Sequence, residues 1–262
     1  MRLAEKVVII TGGAGGLGSE ASRLMAKEGA KVVVTDVAEK AGNALAIEIG
    51  GEFYKHDVSS EEQWQAIVRG AIDHYGRVDA LINAAGVEGD LAKFSGLATT
   101  LEEWRRVMSI NLDGTFLGCR TVMPSMLETG RGSIVNISSI VSFMATPTAM
   151  AYGASKAGVQ QLTRSLAWIG AQNGKRVRCN SVHPGIIKTR MTDDIISALG
   201  KLNNVLPEEA EKMLVSHVPF GVRGRPVDIA NLVVFLASDD ESAYITGSEF
   251  QADGGWHMVS AG

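Results

Sequence analysis

The sequence predicts an α/β protein built on one doubly wound parallel sheet of about seven strands with helices on both faces. Three observations predict it. Short apolar, β-branched runs alternate with longer amphipathic stretches from the first residue to about residue 182. The runs are apolar almost throughout, as in Val7-Val8-Ile9-Ile10, the pattern of strands covered on both faces. The first of them runs into a glycine-rich turn at residues 12–18 and then directly into a helical pattern.

Taken in order, the expected strands are Val7–Thr11, Lys31–Thr35, Glu52–His56, Val78–Asn83, Ser133–Ser138 and Arg176–Val182. Helical patterns lie between them at 17–28, 39–48, 60–75, 101–128 and 150–173. After residue 185 the rhythm breaks. Residues 186–225 carry short helical patterns with Ile186, Ile187, Met191, Ile195, Ile196, Leu199, Met213 and Leu214, and the turn-formers Gly221 and Gly224. A helix at 226–237 and a strand at 247–251 then complete the sheet. An insertion that long inside a compact domain is usually functional, so 186–225 is read as a substrate lid. The chain reads as one domain, 1–262.

Composition narrows the function classes. A chain of 262 residues, 45% hydrophobic and 21% charged, buries a large core without disulfides or a structural metal. Net charge is −4 and no basic block occurs, which argues against a nucleic-acid surface. Cys119 and Cys179 stand apart from any CxxC pair or ligand cluster, so they read as small buried hydrophobes and no metal site is expected. The chain opens directly on a strand without a charged-then-apolar leader, and no apolar run approaches the ~18 residues a membrane span needs. The expected location is the cytoplasm, with no membrane partner.

The glycine-rich turn carries the first chemical signal. Gly13, Gly15 and Gly18 fit GxGxxG, while Gly12, Gly16 and Gly18 fit TGxxxGxG. At a first strand-to-helix junction, glycines let the backbone approach a pyrophosphate, and the helix start supplies free N–H groups. The fold is therefore Rossmann-like, with Gly12, Gly15, Gly16, Leu17 and Gly18 assigned to a dinucleotide. Asp36 ends the second strand eighteen residues beyond Gly18, where a carboxylate accepts from ribose hydroxyls and repels a 2′-phosphate. No Arg or Lys stands in the loop or directly after Asp36, so NAD (NADH) is expected rather than NADP. Val37 follows it. Asp57 and Val58 are expected beside the adenine, and Asn83, Ala84, Ala85 and Gly86 form a tight turn against the cofactor.

The second signal is Tyr152 and Lys156, four apart on an expected helix and so on one face. A free tyrosine titrates near ~10, too high for proton exchange at neutrality. Lowering it by about three units takes roughly 4 kcal/mol, which nearby positive charge can supply. The preceding strand ends in Ser138-Ser139, whose hydroxyls emerge at the same sheet edge and can bind a substrate oxygen.

With these residues in this order, the sequence resembles the short-chain dehydrogenase/reductase family, in its compact single-domain branch. The resemblance spans the chain. It rests on Thr11-Gly12 with Gly16 and Gly18, Asn83-Ala-Ala-Gly86, Asn111, Ser139 and Tyr152 with Lys156. Asn180-Ser-Val-His-Pro184-Gly185, Thr189, Gly247 and Asp253-Gly254-Gly255 support it downstream. It implies that Tyr152 is the general acid/base and that Lys156 lowers its pKa while holding the nicotinamide ribose. Ser139, favoured over Ser138 by the family spacing, orients the substrate oxygen. Asn111 holds a water on the proton path. Pro184, Gly185, Ile187 and Thr189 face the nicotinamide. It also implies a homotetramer packed through the helices at 101–128 and 150–173. Ala84 stands where the family commonly has a second Asn, so the resemblance implies one turn hydrogen bond fewer here. His183, beside Pro184, reads as part of the approach to the cofactor loop rather than as a base.

The substrate side reads as apolar. The expected lining is Val87 to Leu91, Ile140 to Met150, the lid and Trp256 to Met258. Ser139, Val141, Met144, Met150, Tyr152, Ile186 and Met191 are the substrate-binding candidates. No Arg or Lys occurs at 140–150 to clamp an anion. The expectation is a neutral, hydrophobic, bulky or cyclic secondary alcohol or its ketone, as in hydroxysteroid dehydrogenases. The alternatives are a biosynthetic keto or acyl-carrier reductase using NADPH and a non-catalytic NAD-binding sensor or scaffold.

Overall fold

A computed structural model describes residues 1–90 and 96–258. The strands are β1 (Val7–Thr11), β2 (Lys31–Asp36), β3 (Glu52–Lys55), β4 (Ala80–Asn83), β5 (Arg131–Ile137), β6 (Arg176–Pro184) and β7 (Glu249–Ala252). They form one parallel seven-stranded sheet in the order β3-β2-β1-β4-β5-β6-β7. The order reverses between β1 and β4, so a crevice opens at their carboxyl ends.

The helices are α1 (Gly16–Lys27), α2 (Glu39–Ile49), α3 (Glu61–Tyr75), α4 (Leu101–Met108), α5 (Gly114–Thr129), α6 (Met150–Gly170), α7 (Arg190–Asn203), α8 (Pro207–Val215), α9 (Pro226–Ala237) and the single turn α10 (Asp239–Ser242). Alternate strand residues point to opposite faces, which explains the unbroken apolar runs. Ile9, Val33, Leu81 and Ile134 join Trp64, Val122 and Met126 in the core on one face. Val8, Ile10, Val34, Ile82 and Val135 join Met25, Ile229 and Val233 on the other. Trp64 is fully buried, and its indole N–H donates to the Val58 carbonyl at 2.9 Å.

The structure corrects the expected helix at 101–128. It is interrupted by a π-helical turn, Ser109–Asp113, between α4 and α5. Apolar periodicity carries no record of the extra residue that a π-turn accommodates. The turn points the buried Asn111 amide inward. Helix α6 stops at Gly170 rather than 173, where its backbone lies so close to Val177 of β6 that a Cβ would collide. The last strand begins at Glu249 rather than 247, because Gly247 takes a left-handed conformation (φ 71°) and donates to the Cys179 carbonyl. Among the described residues, no helix is long and apolar enough to cross a membrane.

Residues 186–225 fold as α7 and α8 over the crevice end of the sheet. A bridge between Ile187 and Gly224 closes the base of the excursion. Arg223 ties its helices together through Asp193 at 2.6 Å and Glu211 at 2.8 Å.

Candidate active site

At the carboxyl end of β1 the glycine turn closes tightly on the end of β4. Gly12 has φ 60°, and a Cβ there would stand 2.7 Å from the Ala85 Cα, so no other residue fits. The Thr11 hydroxyl accepts from the N–H groups of Ala84 (3.1 Å) and Ala85 (3.2 Å). That hydroxyl holds the turn in a chain that has alanine at 84. Gly15 caps α1 without a side-chain partner, which leaves first-turn N–H groups of that helix uncapped. Asp36 accepts from Ala14 N–H at 3.0 Å and from Ala38 N–H at 2.9 Å, so its carboxylate is fixed against the glycine loop.

A cleft of about 440 Å³ runs from Asp36 past this loop to Tyr152 and Lys156. Of the residues assigned to the cofactor, Gly12, Gly15, Gly16, Leu17, Asp36, Val37, Asp57, Val58, Ala84, Ala85 and Gly86 line it, as do Pro184, Gly185, Ile187 and Thr189. Two do not. Gly18 packs against the Gly12 backbone inside the turn. Asn83 turns its amide away to donate to Asn136 Oδ1 at 2.8 Å. Sequence reasoning missed His56, Ile110 and Ile137 on the wall, and singled out neither Arg190 nor Thr192 within the expected lid. Arg190 and Thr192 follow Thr189 at the start of α7, a position that could have flagged them. The His56 ring is buried against Trp64, and burial depresses its pKa to about 4.

The strand end and α6 bring Ser139, Tyr152 and Lys156 to one point. Ser139 Oγ accepts from Val141 N–H at 3.3 Å and stands beside the Tyr152 phenol, whose pKa it lowers. Ser138 faces the helix instead, donating to the Lys156 carbonyl at 2.8 Å. Lys156 is 4% exposed; its Nζ donates to the Ile137 carbonyl at 2.8 Å and lies 5.7 Å from the Tyr152 ring centre. Burial pushes the Tyr152 pKa above its ordinary value, the Ser139 hydroxyl opposes this, and the Glu88 charge adds to it. Burial lowers the Lys156 pKa to about 8.

Asn111 Oδ1 accepts from Val87 N–H at 2.9 Å, and its Nδ2 donates to the Val87 carbonyl (2.9 Å) and to Ser155 Oγ (3.0 Å). A Cβ on Gly86 would meet both Asn111 Oδ1 and Lys156 Nζ at 3.3 Å, which places the two side chains around one small space.

Of the residues expected on the substrate side, Ser139 and Tyr152 line the cleft together with the apolar Val87, Ile110 and Ile187. Val141, Met144 and Ile186 line neither this cleft nor the second cavity described below; Met191 lines the cleft and Met150 the second cavity. Ile186 packs instead into a small core with Val215, Val218 and Trp256. Leu91 lies outside the described residues. The second cavity, of about 230 Å³, meets the first at Tyr152 and is lined by Glu88, Asp90, Glu102, Glu103 and Arg106 among others. These residues come from the loop after β4 and from α4, and only the fold brings them to Tyr152. Glu88 is half-buried, and burial raises its carboxyl pKa.

A family model described as enoyl-(acyl carrier protein) reductase matches residues 12–257. A 3-alpha-(or 20-beta)-hydroxysteroid dehydrogenase of Mycobacterium bovis is 41% identical over 97% of this chain and 90% of its own length. The chain is a short-chain dehydrogenase/reductase. An NADP-dependent (R)-specific alcohol dehydrogenase of Lentilactobacillus kefiri is 40% identical, covering 97% of this chain and 98% of that protein. The crystal structure of levodione reductase superposes with a TM-score of 0.90 at 32% identity, covering 98% of this chain and all of that one.

Short-chain dehydrogenase/reductases use a nicotinamide cofactor, and the cleft fits one. The uncapped start of α1 suits a pyrophosphate, and the open space above Gly15, where an added Cβ meets nothing within 4 Å, leaves room for it. Asp36 at one end and Lys156 at the other would then hold the two riboses.

Proposed function

We propose that this short-chain dehydrogenase/reductase uses NAD(H) to interconvert a neutral, largely hydrophobic cyclic secondary alcohol and its ketone. The observation that carries the reading is the Ser139–Tyr152–Lys156 cluster at the junction of two cavities, one shaped for a dinucleotide.

A nicotinamide held between Asp36 and Lys156 would supply the hydride acceptor for oxidation and the hydride donor for reduction. The protein's own part is proton transfer at the substrate oxygen. Ser139 donates to that oxygen and holds it against the Tyr152 phenol. Tyr152 takes the hydroxyl proton in oxidation and gives it back in reduction. Lys156 brings positive charge within 5.7 Å of the ring, which offsets the burial that works against phenolate. Asn111, sharing the space beside Gly86 with Lys156, leads the proton onward to solvent through a water. The lid formed by α7 and α8 excludes bulk water over the cleft.

Charge supports NAD over NADP. Asp36 holds its carboxylate where a 2′-phosphate would stand, and neither neighbour, Thr35 or Val37, is basic. The Glu88 carboxyl beside Tyr152 disfavours an anionic group at the reacting carbon, which supports a neutral substrate. The hydroxysteroid dehydrogenase named above agrees with a cyclic alcohol. Phe116 on α5 and Trp168 on α6, 42% and 73% exposed, suit the packing faces of a homotetramer.

The test is turnover of a panel running from 2-butanol through cyclohexanol to 3- and 17-hydroxysteroids, with NAD⁺ or NADP⁺, beside a Tyr152→Phe control. The expected result is turnover of the cyclic members with NAD⁺, lost by several orders of magnitude in Tyr152→Phe while NADH still binds. An active Tyr152→Phe enzyme overturns the mechanism. Preference for NADPH and a carrier-bound substrate would transfer the reading to an acyl-carrier reductase.

A further inference from the structure

His183 is completely buried at the end of β6, yet the proton relay described above does not use it. Its Nδ1 lies 3.1 Å from the Ser139 carbonyl oxygen and 2.9 Å from Ser142 Oγ; its Nε2 lies 2.8 Å from Ser181 Oγ. The partners fix the tautomer. A carbonyl has no proton to give, so Nδ1 must carry the hydrogen. The Ser142 hydroxyl spends its own proton on the same Ser139 carbonyl at 2.7 Å, and so accepts from Nδ1. In a neutral imidazole Nε2 is then the acceptor, and the Ser181 hydroxyl donates to it. Burial lowers the His183 pKa, which keeps the ring neutral at physiological pH.

We infer that His183, locked as the Nδ1–H tautomer by Ser181, is the positioning residue for Ser139. Ser139 is extended (φ −164°) and stands between the last residue of β5 and a 3₁₀ turn, Ile140–Phe143. Its carbonyl accepts from both Ser142 and His183, which are themselves hydrogen-bonded to each other, while Val141 N–H holds its Oγ. With backbone and side chain both fixed, the Ser139 proton is left to point at Tyr152. The Phe143 ring, 4.6 Å from the imidazole, closes the site. The inference rests on the proposed role of Ser139, and it assigns His183 no proton transfer of its own.

Two substitutions separate the ring nitrogens. The amide nitrogen of His183→Asn stands near Nδ1 and can still donate to the Ser139 carbonyl. That of His183→Gln stands near Nε2 and serves only Ser181. His183→Asn is expected to keep kcat within about threefold of the parent, and His183→Gln to lose about a hundredfold, the size of effect a 1 Å misplacement produces. KM for NADH should be unchanged in both, since neither touches the cofactor cleft. Independently of any activity, ¹⁵N NMR of the histidine-labelled protein should show a neutral ring protonated at Nδ1. An Nε2–H tautomer, or equal losses in Asn and Gln, overturns the inference. A fully active Ser139→Ala enzyme instead removes the role of Ser139, and with it the consequence of placing it, while the tautomer reads the placement alone.

Discussion

The Lys156 ammonium donates to the Ile137 carbonyl at 2.8 Å, so a buried charge ties α6 to the last residue of β5. That placement costs stability in a pH-dependent way. Burial brings the lysine pKa from 10.5 down to about 8. Between those values the unfolded chain binds more protons than the native one, so stability rises with pH through that window. Below pH 8 the full cost, about 3 kcal/mol, is present. Lys156→Met removes it. In urea unfolding of the cofactor-free protein, the stability advantage of Lys156→Met should be largest at pH 7 and shrink toward pH 10. An advantage that stays constant across that range would show that the buried ammonium is not destabilised.

Asp36 carries the cofactor prediction. Asp36→Asn keeps an oxygen acceptor for the Ala14 or Ala38 N–H and removes the charge. The ratio of kcat/KM for NADP⁺ to that for NAD⁺ should rise at least about tenfold, since like-charge repulsion at a contact is worth several kcal/mol. An unchanged ratio would place the adenosine ribose elsewhere.

Asn136 is a stability prediction, because its fully buried amide on β5 meets side chains from β4, α5, α6 and β6. It accepts from Asn83 Nδ2 at 2.8 Å and donates to Thr163 Oγ1 at 2.9 Å, with the thiols of Cys119 and Cys179 on either side. Asn136→Ala strands the partners in the core. The expected loss is about 3 kcal/mol, and Tm falls by about 10 °C in calorimetry. A loss below about 1 kcal/mol would mean that water replaces the amide, as at a solvated site.

Much of this was legible before the fold was known, for a physical reason. Strands buried on both faces leave unbroken apolar runs, and Val7–Thr11 appears in the structure with the limits the sequence predicted. The glycine turn was legible because Gly12 and Gly18 answer to backbone collisions that no other residue survives. The π-turn at Ser109–Asp113 was not, since Ser-Ile-Asn-Leu-Asp reads as ordinary helix and the turn is set by where Asn111 finds partners at Val87 and Ser155. The charged cavity was hidden for a related reason. Glu88 and Arg106 are eighteen residues apart, and only tertiary folding sets them together beside Tyr152. Ile186 and Val141 are candidates by residue type alone, yet one serves a small core with Val215 and Val218 and the other lines neither of the two cavities that meet at Tyr152.

Glu88 ties that cavity to both rate and specificity. Its charge adds to the burial that holds the Tyr152 proton on, and Arg106 partly offsets the charge of Glu88 itself. Glu88→Gln keeps the shape and removes the charge. In the alcohol-oxidation direction the rate rises as Tyr152 loses its proton, so the rising limb of the kcat/KM profile should move to lower pH in the variant. A second readout uses the substrate. A carboxylate on the alcohol meets repulsion from Glu88 in the parent and none in the variant, so kcat/KM for 4-hydroxycyclohexanecarboxylate relative to cyclohexanol should rise by about tenfold or more. If the profile moves and the ratio does not, the substrate body lies away from the second cavity. If neither moves, Glu88 is uncharged in the working enzyme and exerts no field on Tyr152.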